Sequence, residues 1–163
     1  VLDLERTRLD DIYPMVWQTD TSVSLDSWGY VENDHFKPVA TLIHDLVDIV
    51  SKNGVLLLNF GPKADGTIPE PVRQRFLSIG EWLKINGEAI YDTRPWLIYG
   101  EGTHTVETTF GSGEEGGYSA EDIRFTAKAN ILYAICLGWP EKDLKIRALG
   151  KAAHHFNFES YSP

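Results

Sequence analysis

The sequence holds a single cysteine, Cys136, among 163 residues, which excludes a disulfide within the chain. This cysteine lies in the apolar run 131–137, where a buried and unreactive thiol is expected. No apolar stretch approaches the roughly 20 residues that a membrane-spanning helix needs. The sequence therefore predicts neither a disulfide-stabilised small domain nor a membrane protein.

Basic residues are also few: 15 Lys and Arg face 24 Asp and Glu, and the net charge is -9. Without a basic stripe, a nucleic-acid partner is not expected. The Gly-x-Ser-x-Gly elbow, the phosphate loop, the dinucleotide fingerprint and the CxxC motif are all missing. His154 and His155 have no further ligands at useful spacing, whereas zinc needs three or four converging groups. We therefore expect no metal and no cofactor.

The most informative segment is 51–69, SKNGVLLLNFGPKADGTIP. Asn53-Gly54 is typical of a helix end, because both residues tolerate left-handed backbone angles. The apolar run 55–60 predicts a strand buried on both faces of a parallel sheet, and Gly61-Pro62 ends it. This order is typical of a βα unit, in which the loop after the strand faces the ligand. Within that loop, Asn59 is expected to orient neighbouring loops, and 65–66 to form a turn.

Two helices are predicted, over about 38–52 and 71–85, from apolar residues at helical spacing. The apolar positions of the first are Val39, Leu42, Ile43, Leu46, Val47 and Val50, and those of the second are Val72, Phe76, Ile79, Trp82 and Leu83. Residues 1–30 show no long period, and we expect long loops there on a functional face.

The pattern changes near 94–96, after which short alternating runs are separated by turn signals. The runs are 105–110, 122–127, 130–138 and 144–149. Short strands of this kind predict an antiparallel β-sandwich. We place a domain boundary between 92 and 96.

Four motifs in order carry a family resemblance: segment 51–69, Ser-Trp-Gly-Tyr at 27–30, Asn-Gly-Glu-Ala-Ile-Tyr at 86–91 and Arg-Pro-Trp at 94–96. Over about residues 4–139 the chain resembles the α-L-fucosidases of glycoside hydrolase family 29. The resemblance implies a (β/α)8-like barrel followed by an antiparallel β-sandwich.

The predicted elements fall far short of the eight βα units that close a barrel. We therefore expect a fragment of a larger α/β chain, with 1–93 as the C-terminal portion of the barrel and 94–163 as an incomplete sandwich. Such a fragment needs the missing N-terminal barrel residues. The isolated chain is expected to fold poorly or self-associate, because the apolar stripes of its helices would be uncovered.

The resemblance implies release of terminal α-L-fucose from fucosylated oligosaccharides or glycoconjugates with retention of configuration. Retaining glycosidases use two carboxyl groups, a nucleophile and a general acid/base. The implied nucleophile is an Asp on an earlier strand, outside this chain. The class implies an extracytoplasmic location, whether secreted, periplasmic or lysosomal.

Glu5 is the candidate acid/base, because segment 2–7 is similar to the loop that carries this carboxylate in many bacterial members. The alternative is a solvated loop carboxylate paired with Arg6 or Arg8. Weaker candidates for the same role are Asp3, Asp10 and Asp11. Gln18 stands where several members carry Glu, which also favours Glu5.

Trp28 resembles the aromatic residue that lines the fucose pocket, where an indole face can cover the methyl group at C5. The alternative is a core tryptophan under a tight turn at Gly29. Trp17 could flank the same pocket, although for Trp17 a structural role is favoured. Two other hypotheses remain open: an inactive carbohydrate-binding or structural fragment, and a family member whose acid comes from another loop.

Overall fold

The computed structural model describes residues 2–102 and 118–150. Its first sheet has three parallel strands in sequence order: β1 (Leu2–Glu5), β2 (Trp17–Ser22) and β3 (Gly54–Asn59). Parallel strands joined through a helix confirm the α/β class. Closure of a barrel stays a prediction.

Helix α1 (Val39–Ser51) connects β2 to β3, and helix α2 (Glu70–Asn86) follows β3. Both helices and β3 confirm the predicted elements to within one residue at each end. The turn between α1 and β3 also follows the prediction, because Asn53 adopts a φ of 71°. At Gly54, a Cβ atom would lie 2.6 Å from Ile49 Cγ2 and 2.7 Å from the Trp17 ring, so only glycine fits.

The helices cover one side of the parallel sheet. Trp17 and Ile49 form one buried cluster with Leu2, Leu4 and Leu56. A second cluster joins both helices to β3 and the loop after β2; its members include Val23, Leu42, Leu58, Val72 and Ile79. The clusters include residues of the apolar stripes that the sequence predicted for both helices.

The other side of the sheet, called the open face, is uncovered by the described residues, so within them β3 is buried on one face and not on both as predicted. Leu56 and Leu58 point to the helices, whereas Val55 and Leu57 remain 49% and 47% exposed. Successive side chains of a strand point to opposite faces. The strand register then places the following residues on the open face: Asp3, Glu5, Gln18, Asp20, Val55 and Leu57.

The expectation of loops throughout 1–30 is also wrong, because β1 and β2 lie there. The inward side of β2 carries Thr19 and Thr21, and both hydroxyls are hydrogen-bonded. Thr19 Oγ1 donates to the Thr7 carbonyl at 2.6 Å, and Lys37 Nζ donates to Thr21 Oγ1 at 2.6 Å. A strand with polar residues on both faces has no apolar period to detect.

The second sheet is antiparallel, with β4 (Arg94–Glu101), β5 (Ile123–Lys128) and β6 (Ile131–Cys136) in sequence order. Runs 122–127 and 130–138 are confirmed as strands. The described residues supply one three-stranded layer here, so the sandwich and the boundary between 92 and 96 stay predictions. Run 105–110 lies outside the described residues.

The predicted strand at 144–149 is wrong, because this segment contains a short 3₁₀ turn, Arg147–Leu149. The Glu101 carboxylate accepts hydrogen bonds from the backbone N–H groups of Arg147, at 2.9 Å, and Ala148, at 2.7 Å. A side chain therefore satisfies donors that a strand ladder would otherwise take up.

Five charged side chains, called the Asp48 cluster, connect α1 to the loop after β1 and to the second sheet; they are Arg8, Asp45, Asp48, Lys52 and Arg124. Asp48 is fully buried and accepts from Arg124 Nε at 2.6 Å and Lys52 Nζ at 2.8 Å. Burial alone raises the pKa of Asp48, but the Lys52 and Arg124 charges outweigh it and hold this pKa below its usual value. The cluster ties the second sheet to α1.

Asp45, in the same cluster, makes the stability of the fold depend on pH. Burial raises its pKa from 3.8 to about 6, although the charges of Arg8 and Lys37 oppose the shift. Between pH 3.8 and about 6, Asp45 has lost its proton in the unfolded chain but retains it in the folded chain. Stability therefore falls as pH rises through this window.

Asp45→Asn is expected to flatten this decline, because the amide does not titrate. The measurement is the thermal unfolding midpoint between pH 4 and pH 7. Asp65→Asn is the control, since the hydrogen bonds from Thr67 lower the pKa of Asp65 and its titration lies below the window. An unchanged pH slope in Asp45→Asn would contradict the assignment.

Candidate functional site

The carboxyl ends of the three parallel strands meet at one edge of the first sheet, called the carboxyl edge. Glu5 ends β1, Ser22 ends β2 and Asn59 ends β3. In parallel α/β folds, ligands bind at this edge. The carboxyl edge is therefore the candidate site.

Glu5 is exposed and lies on the open face, in register with Asp20 of β2. The structure thus places it at a strand end and not within a loop, so its backbone is held by the parallel ladder. The two arginines considered as partners of Glu5 make other contacts. Arg8 Nη2 lies 3.3 Å from Asp45 Oδ1, and the Arg6 guanidinium stacks over the ring of Trp28.

The weaker acid candidates occupy other positions. Asp3 also faces the open face but lies two residues before the strand end, and its Oδ1 accepts from Gln18 Nε2 at 3.2 Å. Asp10 and Asp11 are exposed in the connection to the start of β2. Of the four carboxylates, Glu5 is the one at the carboxyl edge.

Trp28 lies half-buried in the loop after β2. Asn59 Nδ2 donates to the Trp28 carbonyl at 2.8 Å and to Ser22 Oγ at 3.2 Å, which confirms the loop-orienting role predicted for Asn59. A Cβ atom at Gly61 would lie 2.2 Å from the Gly29 carbonyl carbon, so the loops after β2 and β3 touch. Within 2–102 and 118–150, Trp28 is part of no hydrophobic core cluster.

Trp17 is placed differently from Trp28, and its surroundings support the structural role that was favoured for it. It is fully buried, and its indole Nε1 donates to the Lys52 carbonyl at 2.9 Å. Trp17 begins β2, so it lies at the opposite end of that strand from the carboxyl edge. Its ring therefore offers no surface to a sugar.

A hydrogen-bonded loop beside Trp28 was missed at the level of sequence. Ser24 Oγ accepts from the backbone N–H groups of Asp26 and Ser27 and donates to Asp34 Oδ1 at 2.7 Å. Asp26 in turn binds His35 Nδ1 at 2.8 Å. A serine whose hydroxyl can accept from backbone N–H groups two and three residues later is a sequence signal for such a loop.

The turn predicted at 65–66 is confirmed, because Asp65 accepts a hydrogen bond from the Thr67 N–H.

Two further searches cover only the part of the chain that the structure describes. Residues 2–102 and 118–150 contain no group of three His, Cys, Asp or Glu side chains arranged to hold a metal ion. In the same residues, no helix combines the length and the apolar character needed to cross a membrane. His154 and His155 lie outside the described residues.

The chain is similar to α-L-fucosidases in sequence and in structure. The family model described as alpha-L-fucosidase matches residues 2–88. Human tissue α-L-fucosidase is 37% identical over 128 residues, or 77% of this chain and 24% of that protein. Human plasma α-L-fucosidase is 34% identical over 134 residues, or 79% of this chain and 25% of that protein. The chain thus spans about a quarter of the curated relatives that it matches.

A solved Thermotoga maritima α-fucosidase in complex with fucose resembles this structure with a TM-score of 0.68. The two are 39% identical, and the match covers 86% of this chain and 31% of that one. Another solved α-L-fucosidase gives a TM-score of 0.71 at 38% identity, covering 85% of this chain and 29% of that one.

Proposed function

Because the chain belongs to the α-L-fucosidase family, we propose that it forms part of a glycoside hydrolase that releases terminal α-L-fucose. The observation that carries this proposal is the carboxyl edge, where Glu5 and Trp28 are joined through Arg6. A carboxyl group beside an aromatic wall suits a deoxysugar, whose glycosidic oxygen needs a proton and whose methyl group needs an apolar surface.

The proposed mechanism is a double displacement with retention of configuration. An Asp upstream of this chain attacks the anomeric carbon, while the bond to the leaving oxygen breaks and Glu5 gives that oxygen its proton. Glu5 then takes a proton from water, the water oxygen attacks the anomeric carbon, and the bond to Asp breaks. Fucose leaves with its original configuration.

The remaining barrel residues are proposed to cover the open face. Val55 and Leu57 are apolar yet about half exposed there, beside the polar side chains of Glu5 and Asp20. Such a mixed surface suits the interior of a barrel that is packed at depth and polar near its mouth. In this proposal 1–93 complete the barrel and 94–163 belong to the following sandwich.

The proposed substrates are fucosylated oligosaccharides or glycoconjugates. The similar Thermotoga maritima structure, whose description names bound fucose, supports this substrate class. An extracytoplasmic location is proposed from the similarity to plasma α-L-fucosidase.

The test is fucose release from an alkyl α-L-fucoside by the full-length polypeptide, followed by NMR of the first sugar formed. We expect α-L-fucose before mutarotation. If the β anomer forms first, the retaining mechanism is wrong. If no fucose is released, the proposed activity is wrong.

A carbohydrate-binding or structural fragment without activity is the second candidate. It is kept as the alternative because the proposed mechanism assigns its nucleophile to no residue of this chain. Binding of fucose by the full-length polypeptide without hydrolysis would support it.

A further inference from the structure

Arg6 follows the candidate acid/base directly and has an unusual backbone. Its φ is 50°, in the left-handed region that non-glycine residues seldom adopt. The Arg6 N–H donates to the Asp20 carbonyl at 3.1 Å, which extends the pairing of β1 with β2 by one residue. This turn directs the Arg6 side chain across the carboxyl edge toward the loop after β2. Backbone strain of this kind is concentrated at functional sites.

The Arg6 guanidinium carbon lies 4.4 Å from the centroid of the Trp28 ring. A guanidinium at this distance is attracted by the indole face, and its planar shape fits that face better than an ammonium group does. Asn59 fixes the Trp28 backbone through its carbonyl. Arg6 therefore acts on the orientation of the ring, which the Asn59 hydrogen bond does not determine.

Stacking also decides which part of Trp28 a ligand can use. One face of the indole is occupied by Arg6, so a sugar can contact only the part of the ring that Arg6 leaves exposed. Because Glu5 and Arg6 are consecutive, the same turn sets the acid/base carboxyl and the apolar wall relative to each other.

We propose that Arg6 is a positioning residue that holds the Trp28 ring against the C5 substituent of the sugar and thereby favours a methyl group over a hydroxymethyl group. This inference rests on the proposed function. Arg6 touches Trp28 and not the reacting atoms, so it acts on substrate choice and binding more than on the chemical step.

The experiment compares Arg6→Lys and Arg6→Gln with the unchanged full-length polypeptide. The readout is kcat/KM for an aryl α-L-fucoside divided by that for the matching aryl α-L-galactoside, which carries hydroxymethyl at C5. We expect this ratio to fall roughly tenfold in both variants, mainly through a higher KM for the fucoside. Arg6→Lys keeps the charge and the long stem, and it guards against a variant that fails to fold.

Arg75→Lys is the matched control, because Arg75 also stacks on an aromatic ring, at 5.1 Å from Phe36, but that ring packs against the hydrophobic core cluster of the two helices. It is expected to change stability and leave the ratio unchanged. An unchanged ratio in folded Arg6→Lys and Arg6→Gln would overturn this inference alone. A full-length polypeptide that releases no fucose would overturn the proposed function and, with it, the inference.

Discussion

Replacing Glu5 with alanine is expected to slow hydrolysis of an alkyl α-L-fucoside by roughly 10²- to 10⁴-fold. An alkoxide is a poor leaving group, so its departure depends on a proton from the acid/base residue. Glu5 lies at the carboxyl edge on the open face, and the next residue, Arg6, stacks on the ring of Trp28. The measurement is the rate of fucose release by the full-length polypeptide and its variant.

The role of Glu5 can be separated from a structural effect in two ways. An activated aryl fucoside needs no protonation, so the variant should form the fucosyl intermediate at a less affected rate, and azide should accelerate its breakdown. Asp3→Ala is the matched control, because Asp3 is an exposed carboxylate on the same strand and the same face. Near-normal alkyl fucoside hydrolysis by Glu5→Ala would assign the acid to another loop.

Asp48→Ala is expected to destabilise the folded protein by about 3–5 kcal/mol, because removal of one partner leaves buried charges uncompensated. Lys52 and Arg124 are 3% and 4% exposed, and both direct a nitrogen at Asp48 within 2.8 Å. Neither can regain full hydration without opening the contact between α1 and the second sheet. Urea unfolding of the full-length polypeptide, followed by tryptophan fluorescence, measures the loss.

Glu70→Ala provides the comparison for Asp48→Ala. Glu70 pairs with Arg73 at 3.5 Å, but both side chains are more than half exposed. Exposed pairs contribute about 0–1 kcal/mol, so this variant should be nearly as stable as the parent. Similar losses in the two variants would show that the Asp48 cluster stabilises no more than a surface pair does.

Helices α1 and α2 and strand β3 could be predicted because each has a strong apolar pattern and clear end signals, such as Asn53-Gly54. Strands β1 and β2 could not, because β1 has four residues and β2 buries threonines. The exposure of Val55 and Leu57 was missed for a different reason. A local apolar run indicates that a strand will be covered, but it does not identify the residues that cover it, and residues 2–102 and 118–150 leave this face uncovered.

The candidate site also contains residues that the sequence could identify and contacts that it could not. Glu5 and Trp28 were identified by resemblance, since a loop carboxylate and a half-buried tryptophan are unremarkable in a single sequence. Trp17 and Trp28 differ in position, because Trp17 is buried at the start of β2 and Trp28 lies in the loop after β2; this difference required the strand bounds. The contact between Arg6 and Trp28 and the Asp48 cluster depend on long-range packing; Arg124 and Asp48 are 76 residues apart.

The Asp48 cluster also governs where segments can be exchanged between relatives. A chimera joined at Thr93, with the downstream segment of another family member, keeps Asp48 but replaces Arg124. If the incoming segment lacks a basic side chain at that position, Asp48 loses one of its two close cations. Transplanting the second sheet therefore requires either a donor with a matching guanidinium or simultaneous replacement of α1.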